Sequence, residues 1–547
     1  MPPLNVKIRN AGKTFDVVLD IDRPPNDFKK EIYQKTGIAP DRMKVMIKGG
    51  MLKEDTDWEK VSPKEGQIFT VIGAAGELPK PPSEPIKFLE DMDDAELANA
   101  LRIPIGLVNL GNTCYMSATI QAMNAIPELQ LALQAIPSDQ CPRRAKPIAP
   151  LPRSLTELFS TMSNTTDSVT PNHFLSSLRA VEPQFAERAR NSIAFAQQDA
   201  EECWSKILQA VRDIPAIPGG KGAPNPQDKF VDSFMGATLV RELKSEEAPE
   251  EEVSVTTDKV YKIECNIGMA TNYLHSGIMD ALTQTVVKRS PTLGRNADYT
   301  MRTRLSRLPS YLTVHMVRFT WRQDINKKAK IMRKVKFPIE YDAIDLTTDD
   351  LRAKLQPVSR RLAEIEQERR ERAKVRKRTK AAREAAAAPK SPSEAAMDID
   401  LAPAEVTDAQ GGELNEESFY REKERTELEA LVDTSVKADF GASQTGLYDL
   451  VAIITHKGPA ADAGHYIAFV KKSVFHPKAQ AAAPAENEGE ASSKATSAPT
   501  LDPEDEDWYK FDDEKVTTFP AERLATLDGG GEDASAYVLL YRTKELA

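Results

Sequence analysis

The chain has 547 residues, of which 29% are charged and 40% hydrophobic, and a formal net charge of −10 at pH 7. This length is several times that of a usual domain and predicts two or more folded units. The acidic balance disfavours binding of the whole chain to nucleic acid or to an anionic membrane surface. The 4 cysteines include no CxxC pair, and no apolar run reaches the ~18 residues of a membrane span. Since the N-terminus also lacks a signal-peptide pattern, we expect a protein of a reducing compartment that is neither secreted nor membrane-spanning.

The N-terminal segment predicts a small, strand-rich domain. Apolar residues alternate at 4–8 and again at 15–19, which predicts a hairpin. Helical spacing follows, and Gly37 ends the predicted helix. Alternation returns at 43–47 and 68–71. The order ββαβ…β is typical of a β-grasp fold.

Residues 7–71 resemble ubiquitin-like domains. Ubiquitin itself ends in a cleavable Arg-Gly-Gly tail, whereas this segment continues into the proline-rich stretch that begins at Pro79. The resemblance therefore implies a fixed docking module over residues 1–75, with Met46 at the position where such folds expose an apolar contact. Residues 76–101 are predicted to be a semi-rigid linker because they are rich in proline and acidic residues.

Residues 102–545 mix helical and strand patterns and predict one α+β unit of catalytic size. Strand candidates include the apolar runs 312–317 and 451–454. Two insertions interrupt the pattern, at about 353–442 and about 476–506. The first begins with Arg, Lys and Glu and few branched aliphatic residues, and the second is rich in Ala, Glu, Ser and Pro. Both are predicted to be disordered, the first grading from a solvated helix, because neither shows an apolar face to bury.

The most informative motif is residues 106–116, GLVNLGNTCYM, which leads into a helical pattern. Cys114 stands at the predicted helix N-terminus, where unsatisfied N–H groups and the helix dipole favour a thiolate over a thiol. This position predicts a nucleophile. The alternative is a buried structural cysteine, which the neighbouring glycines and the Asn-Thr turn residues disfavour.

A thiolate nucleophile requires a base and a group that orients that base. His465 follows a glycine at the start of an apolar alternating strand, and Asp512 follows a second aromatic strand. Taken separately, His465 could be a structural histidine and Asp512 a turn residue. Together with Cys114 they form a Cys, His, Asp set in the chain order of a papain-like hydrolase.

These motifs resemble the Cys and His boxes of the ubiquitin-specific proteases, a large family of cysteine deubiquitinases. Residues 195–202, FAQQDAEE, are similar to the family's Gln-Gln-Asp box, and residues 308–338 resemble the box before the histidine region. The resemblance implies a papain-like fold of thumb, palm and fingers in the catalytic unit. It covers most of 102–545 outside the insertions.

The resemblance implies a role for each matching residue. Cys114 is the nucleophile, His465 the general base, and Asp512 the carboxylate that orients the imidazole. Asn109 donates its side-chain amide to the oxyanion. Asp513 could take the orienting role in place of Asp512, and the sequence leaves that alternative open.

The resemblance also implies substrate-binding roles for Gln197, Gln198, Asp199, Gly464 and Tyr466. Many family members hold zinc in the fingers through two CxxC pairs, which this chain lacks. We therefore expect no metal and no cofactor.

The combination of a ubiquitin-like domain, a proline-rich linker and a catalytic unit without CxxC pairs resembles the proteasome-associated members of the family. It implies a cysteine isopeptidase that cleaves after the C-terminal glycine of ubiquitin. It further implies polyubiquitinated proteins and the regulatory particle of the 26S proteasome as partners, in cytoplasm and nucleus. The alternative is a mainly non-catalytic, ubiquitin-binding regulator of the proteasome. The basic run 374–380 lacks interleaved aromatic residues, which favours a solvated face or a nuclear-import signal over a nucleic-acid contact.

Overall fold

The structure is a computed structural model that describes residues 3–10, 13–47, 50–53, 56, 58–73, 89–135, 150–189, 193–216, 228–323, 327–387, 417–460, 463–476 and 507–546. It divides into two compact units, Met1–Asp91 and Met92–Ala547. Each unit has its own apolar core. Within the described residues, no helix is long and apolar enough to cross a membrane.

The N-terminal unit is a five-stranded sheet with one main helix. Its elements are β1 (Leu4–Asn10), β2 (Lys13–Leu19), α1 (Pro25–Thr36), β3 (Lys44–Ile47), β4 (Gly50–Met51), α2 (Trp58–Val61) and β5 (Ile68–Ile72). The strand order is β2-β1-β5-β3-β4, and β1 and β5 run parallel. Helix α1 ends at Gly37, whose φ of 70° is favourable for glycine. The strands and the helix predicted from apolar spacing are confirmed.

The larger unit begins with a run of helices, of which α8 packs against α4. They are α3 (Asp94–Leu101), α4 (Cys114–Met123), α5 (Pro127–Gln134), α6 (Pro150–Ser163), α7 (Asn172–Val181), α8 (Ala200–Ala210) and α9 (Phe230–Phe234). Every residue of α4 is buried, so its N-terminal end is held rigidly inside the core. Helix α3 lies within the segment predicted as a linker, where an Asp93–Glu96 capping box starts it. Residues 74–88 lie outside the described residues.

Strands then dominate the larger unit. The elements are β6 (Ala237–Ser245), β7 (Ser254–Val260), β8 (Ile263–Asn266), α10 (Leu274–Leu282), β9 (Thr283–Arg289), β10 (Asn296–Arg307), β11 (Tyr311–Val317), β12 (Phe319–Arg322), β13 (Lys327–Lys330), β14 (Glu340–Asp342), α11 (Asp349–Ala387), α12 (Glu417–Leu431), α13 (Thr434–Ala438), β15 (Leu447–Ala460), β16 (Ala463–Lys471), β17 (Trp508–Asp512), β18 (Lys515–Phe519) and β19 (Ser535–Thr543). One sheet has the order β7-β6-β10-β9, and the larger sheet follows β18-β17-β16-β15-β19-β11-β8. Helix α4 packs against β16. The predicted strands at 312–317 and 451–454 are confirmed within β11 and β15.

The expectation of disorder across 353–442 is wrong for the described parts of that segment. Helices α11 and α12 pack together there, and their shared cluster buries five apolar side chains: Val358, Leu362, Ile365, Leu428 and Val432. The partners come from opposite ends of the insertion, so local spacing on α11 alone does not reveal its buried face. Charge pairing adds to this contact, because Arg369 Nε donates to Glu424 Oε2 at 2.7 Å. Residues 388–416 and 477–506 lie outside the described residues.

Candidate active site

A tight loop places Cys114 at the start of α4. The side-chain oxygen of Asn109 accepts hydrogen bonds from the backbone N–H of Gly111 at 2.9 Å and of Thr113 at 3.3 Å. Gly111 and Asn112 both adopt positive φ, 91° and 54°, in which glycine and asparagine are among the favoured residues. No side chain caps the helix, so Cys114 is the first helical residue at an uncapped N-terminus. Its thiol lies where the helix dipole favours negative charge.

His465 and Asp512 lie on neighbouring strands next to this helix end. His465 is near the start of β16, Asp512 ends β17, and the two strands pair antiparallel. The His465 Nε2 atom lies 2.6 Å from Asp512 Oδ1. This contact leaves Nδ1 as the ring nitrogen for Cys114. The hydrogen bond to Cys114 is the largest cause that raises the pKa of His465 to about 9, and the bond to Asp512 adds to it against the opposing effect of burial.

The structure therefore brings together the three residues predicted as a catalytic set. Two other described cysteines, Cys203 and Cys265, are buried, and burial raises the pKa of both thiols, that of Cys265 to about 12. A buried thiol with a raised pKa is a poor nucleophile at neutral pH. Cys141 lies outside the described residues.

Comparison with known proteins gives a family match over most of the chain. The profile of the family described as "Ubiquitin carboxyl-terminal hydrolase" matches residues 105–541. The chain is 36% identical over 546 residues to Ubiquitin carboxyl-terminal hydrolase 6 of Schizosaccharomyces pombe, with 99% of each chain covered. It is 34% identical over 554 residues to Ubiquitin carboxyl-terminal hydrolase 6 of Arabidopsis thaliana, covering 100% of this chain and 99% of that one. Ubiquitin carboxyl-terminal hydrolase 14 of Caenorhabditis elegans is 29% identical over 547 residues, covering 100% and 94%.

The chain belongs to the ubiquitin carboxyl-terminal hydrolase family. It is a cysteine deubiquitinase, and its substrates are conjugates of ubiquitin. The catalytic and substrate-binding roles of the individual residues around Cys114 remain predictions. The contacts between these residues are the physical argument for them.

The neighbouring carboxylates of Asp512 and Asp513 have different hydrogen-bond partners. Asp512 has a partner on each oxygen, with His465 on Oδ1 and the Lys510 ammonium 2.8 Å from Oδ2. Burial raises the pKa of Asp512, but the hydrogen bonds from Lys510 and His465 outweigh it and lower the pKa overall. Asp513 instead accepts from the Asn109 amide at 2.8 Å, and burial raises its pKa. The geometry favours Asp512 as the orienting carboxylate.

Exchanging each carboxylate for its amide tests this assignment. We expect Asp512→Asn to lower kcat about 10²-fold, since an amide can present its N–H groups to the imidazole and no longer stabilises the imidazolium. Asp513→Asn should cost less, because Asp513 does not contact the imidazole. Steady-state hydrolysis of a ubiquitin–fluorophore by the two variants measures the difference. If Asp513→Asn is the more harmful change, the orienting role belongs to Asp513.

The Asn109 side chain performs a structural task in addition to its predicted one. Its oxygen holds the loop before Cys114, and its Nδ2 donates to Asp513 Oδ2. An amide nitrogen has two N–H groups, so one remains for the predicted oxyanion contact. Asn109 therefore links the loop before α4 to the turn between β17 and β18. Its oxyanion role stays a prediction.

Gln197 and Gly464 form a two-way contact next to the nucleophile. Gln197 Nε2 donates to the Gly464 carbonyl at 2.7 Å, and the Gly464 N–H donates to Gln197 Oε1 at 3.2 Å. Nε2 also lies 4.0 Å from the Cys114 sulfur. A Cβ on Gly464 would lie 2.3 Å from His456 Nε2 and 2.5 Å from the Lys457 carbonyl oxygen, so glycine is required there. The contact fixes the backbone immediately before His465.

The other predicted substrate-binding residues differ in their positions. Tyr466 is only 1% exposed, so its side chain offers no surface to a substrate in this structure, and its substrate-binding role stays a prediction. Adjacent side chains on a strand point to opposite faces, and Tyr466 therefore points into the core when His465 faces the site. Gln198 donates to the Gln184 carbonyl at 2.9 Å. Asp199 caps α8 by accepting from the Glu201 N–H at 2.8 Å, and its second oxygen accepts from the Tyr537 hydroxyl at 2.7 Å.

Two cavities lie along α8. The smaller, of about 200 Å³, adjoins its N-terminus and is lined by three carboxylates among its eight residues: Asp199, Glu201, Glu202, His315, Val317, Phe319, Lys328 and Tyr537. The larger, of about 710 Å³, lies between α8 and strands β6, β7, β8 and β10. Sequence motifs indicated the α8 carboxylates but not the residues that face them from β11, β13 and β19. Such pairings between distant segments appear only in the folded chain.

No group of three or more His, Cys, Asp or Glu side chains within the described ranges could hold a metal ion. The expectation that the hydrolase uses neither metal nor cofactor remains a prediction.

Proposed function

We propose that this hydrolase is a proteasome-associated deubiquitinase that cleaves the bond after the C-terminal glycine of ubiquitin and recycles ubiquitin from proteasome substrates. The observation that carries the hydrolytic part is the alignment of Cys114, His465 and Asp512, with His465 Nε2 2.6 Å from the Asp512 carboxylate. The cysteine begins a helix, the histidine adjoins it, and the carboxylate fixes the ring. Each group required for covalent catalysis by a thiolate is supplied.

The proposed reaction proceeds in two halves. With its pKa raised to about 9, His465 is protonated near neutral pH and stabilises the Cys114 thiolate. The thiolate attacks the carbonyl carbon of the terminal glycine, and the imidazolium gives its proton to the departing lysine amine. His465 is then neutral and removes a proton from water, which attacks the thioester and frees the ubiquitin carboxylate and Cys114. The general-base role predicted for His465 thus belongs to the second half.

The surroundings of the site suit ubiquitin as the substrate. The tail of ubiquitin ends in Arg-Gly-Gly, and a cavity lined by Asp199, Glu201 and Glu202 provides negative charge for a cationic side chain. The two terminal glycines of that tail would pass a narrow channel that excludes bulkier residues, so the tail sequence supports selection by steric exclusion. The cavity of about 710 Å³ between α8 and the β7-β6-β10-β9 sheet supports contact with the folded body of ubiquitin.

The proteasome part of the proposal is supported by the N-terminal unit. Its strand order, with a parallel β1–β5 pair and one long helix, supports a ubiquitin-like domain. Four exposed apolar side chains lie together on strands β3, β4 and β5 of the outer face of its sheet, and we call them the outer-face patch: Met46, Met51, Ile68 and Ile72. A contiguous exposed apolar patch is typical of a protein-binding surface. We propose that it binds the regulatory particle and that the hydrolase acts in cytoplasm and nucleus.

Turnover with and without proteasomes tests the proposed function. We expect the full chain to hydrolyse ubiquitin–fluorophore and to co-sediment with proteasomes whose own deubiquitinases have been inactivated. Lack of turnover in both conditions, with co-sedimentation intact, would support the alternative of a non-catalytic regulator. Turnover without any co-sedimentation would reject proteasome association.

A charged substitution in the outer-face patch should separate docking from catalysis. We expect the double change Met46→Asp and Ile72→Asp to weaken co-sedimentation at least about tenfold, because apolar anchors dominate protein interfaces. Val18→Asp is the matched control, since Val18 is also 50% exposed but lies on the edge strand β2, away from β3 and β5. Ubiquitin–fluorophore turnover in the absence of proteasomes should be unchanged in both proteins. Undiminished co-sedimentation of the double variant would remove the patch from the interface.

A further inference from the structure

Lys510 lies on the same strand as Asp512 and contacts it directly. The two residues are separated by one position on β17, so their side chains point to the same face. Lys510 Nζ is 2.8 Å from Asp512 Oδ2, while Asp512 Oδ1 contacts His465. Each oxygen of the carboxylate therefore has its own partner, and both side chains of this ion pair are about one third exposed, 31% and 32%.

The position of Asp512 explains why a second partner matters. Asp512 is the last residue of β17, and Asp513 follows it in the turn with a φ of 53°. A carboxylate held on one oxygen alone at a strand end is free to rotate away from the imidazole. A contact on the second oxygen restricts that rotation and keeps Oδ1 directed at His465.

The Lys510 ammonium also affects the balance of charge around its ion pair with Asp512. Asp512 interacts with His465 as well as Lys510, and further titratable groups lie next to these residues: Cys114 at His465, Asp513 and Glu514 in the turn, and Lys515 opposite Asp512 on β18. His456 on β15 interacts with His465. Burial is the main cause that lowers the pKa of His456 to about 3, so His456 carries no charge near neutral pH. Two adjacent carboxylates, Asp512 and Asp513, both stabilise a proton on His465. The Lys510 ammonium, 2.8 Å from Asp512 Oδ2, opposes this negative charge.

We propose that Lys510 is a positioning residue that acts through Asp512, holding its carboxylate against His465 and offsetting the negative charge of the two adjacent aspartates. The inference rests on the proposed role of Cys114 and His465 in hydrolysis. Lys510 itself touches neither the nucleophile nor the base in any described contact. It serves the reaction by setting the orientation and the proton affinity of groups that do.

The test compares Lys510→Met and Lys510→Arg, with Lys515→Met as the control. Lys515 pairs with Asp512 across the β17–β18 hairpin, but its side chain is exposed to solvent. We expect Lys510→Met to lower kcat for ubiquitin–fluorophore about tenfold, the loss typical of one charge-assisted hydrogen bond. KM should stay within a factor of about two, since no substrate contact is removed. Lys510→Arg should retain most of the activity, and Lys515→Met all of it.

A second readout requires no ubiquitin. The pH dependence of Cys114 alkylation by iodoacetamide, followed by mass spectrometry, reports the thiol and imidazole directly. Removing a positive charge raises the pKa of nearby groups, so the profile of Lys510→Met should move to higher pH while those of Lys510→Arg and Lys515→Met stay in place. If Lys510→Met unfolds, Lys510→Gln takes its place. If the unmodified chain fails to hydrolyse ubiquitin–fluorophore, only the proposed function is overturned. The alkylation profile still tests the role of Lys510 in that case.

Two results would overturn the inference. Lys510→Met could match Lys515→Met in both turnover and alkylation, in which case the contact with Asp512 has no consequence for the reaction. Alternatively, Lys510→Met could lose turnover with an unchanged alkylation profile, in which case Lys510 is only a structural residue of the hairpin.

Discussion

Cys114→Ala is expected to reduce ubiquitin–fluorophore hydrolysis by roughly 10⁴-fold or more, because removal of the nucleophile leaves only residual catalysis by the rest of the site. Folding should be retained, since alanine is smaller and fits the buried helix α4 without an overlap. Ubiquitin binding, measured by titration with unlabelled ubiquitin, should be largely unchanged because the folded body of ubiquitin contacts other surfaces.

Cys203→Ala is the matched control for the nucleophile. Cys203 is also a buried helical thiol, but burial raises its pKa and its side chain forms a hydrogen bond with Thr119. We expect this variant to keep its kcat and to lose at most about 1 kcal/mol of stability from the small cavity. Near-normal turnover by Cys114→Ala would show that another cysteine is the nucleophile.

His465→Ala is expected to lower kcat by roughly 10³-fold, since a positioned acid and base contributes about 10²- to 10⁴-fold. The loss should exceed that of Asp512→Asn, because alanine removes the proton-transfer group itself whereas asparagine changes only its partner. His173→Ala provides the control, as His173 is exposed and pairs with Glu157 at the surface. Equal activity of the two histidine variants would exclude His465 from the reaction.

The pH profile of the unmodified hydrolase gives a second check on His465. The pKa of His465 is raised to about 9, so the imidazolium persists below that pH and is lost above it. Turnover should therefore stay high through neutral pH and fall as the pH rises through about 9. If turnover instead falls as the pH rises through about 6.5, the ordinary pKa of histidine, the proposed ion pair between His465 and Cys114 is contradicted.

Local patterns in the sequence predicted Cys114 and His465 at the site and left Asp512 and Asp513 as alternatives for the carboxylate. Cys114, His465 and Asp512 each stand at the end of a helix or strand, where a motif and an element boundary coincide. The alternation within β17 also places Lys510 on the face of Asp512, so that contact could have been found from the spacing alone. Tyr466 shows the same principle in reverse, since its neighbour on the strand faces the site and Tyr466 faces the core.

Contacts between distant segments were not predictable in this way. The buried face of α11 depends on Leu428 and Val432, which lie near the C-terminal end of the insertion. The hydrogen bond between Asn109 and Asp513 joins residues 404 positions apart, and it distinguishes the two aspartates more clearly than the motif does. The spacing of apolar residues shows which face of a helix or strand is apolar, but it does not show which other segment covers that face.

The most direct test of the central claim is the reaction of the purified chain with ubiquitin that carries a cysteine-reactive electrophile in place of its C-terminal carboxylate. We predict one added ubiquitin per chain, with the adduct mapped by peptide mass spectrometry to Cys114 and absent from Cys114→Ala. An adduct on Cys141, Cys203 or Cys265, or no adduct on folded protein, would contradict the account.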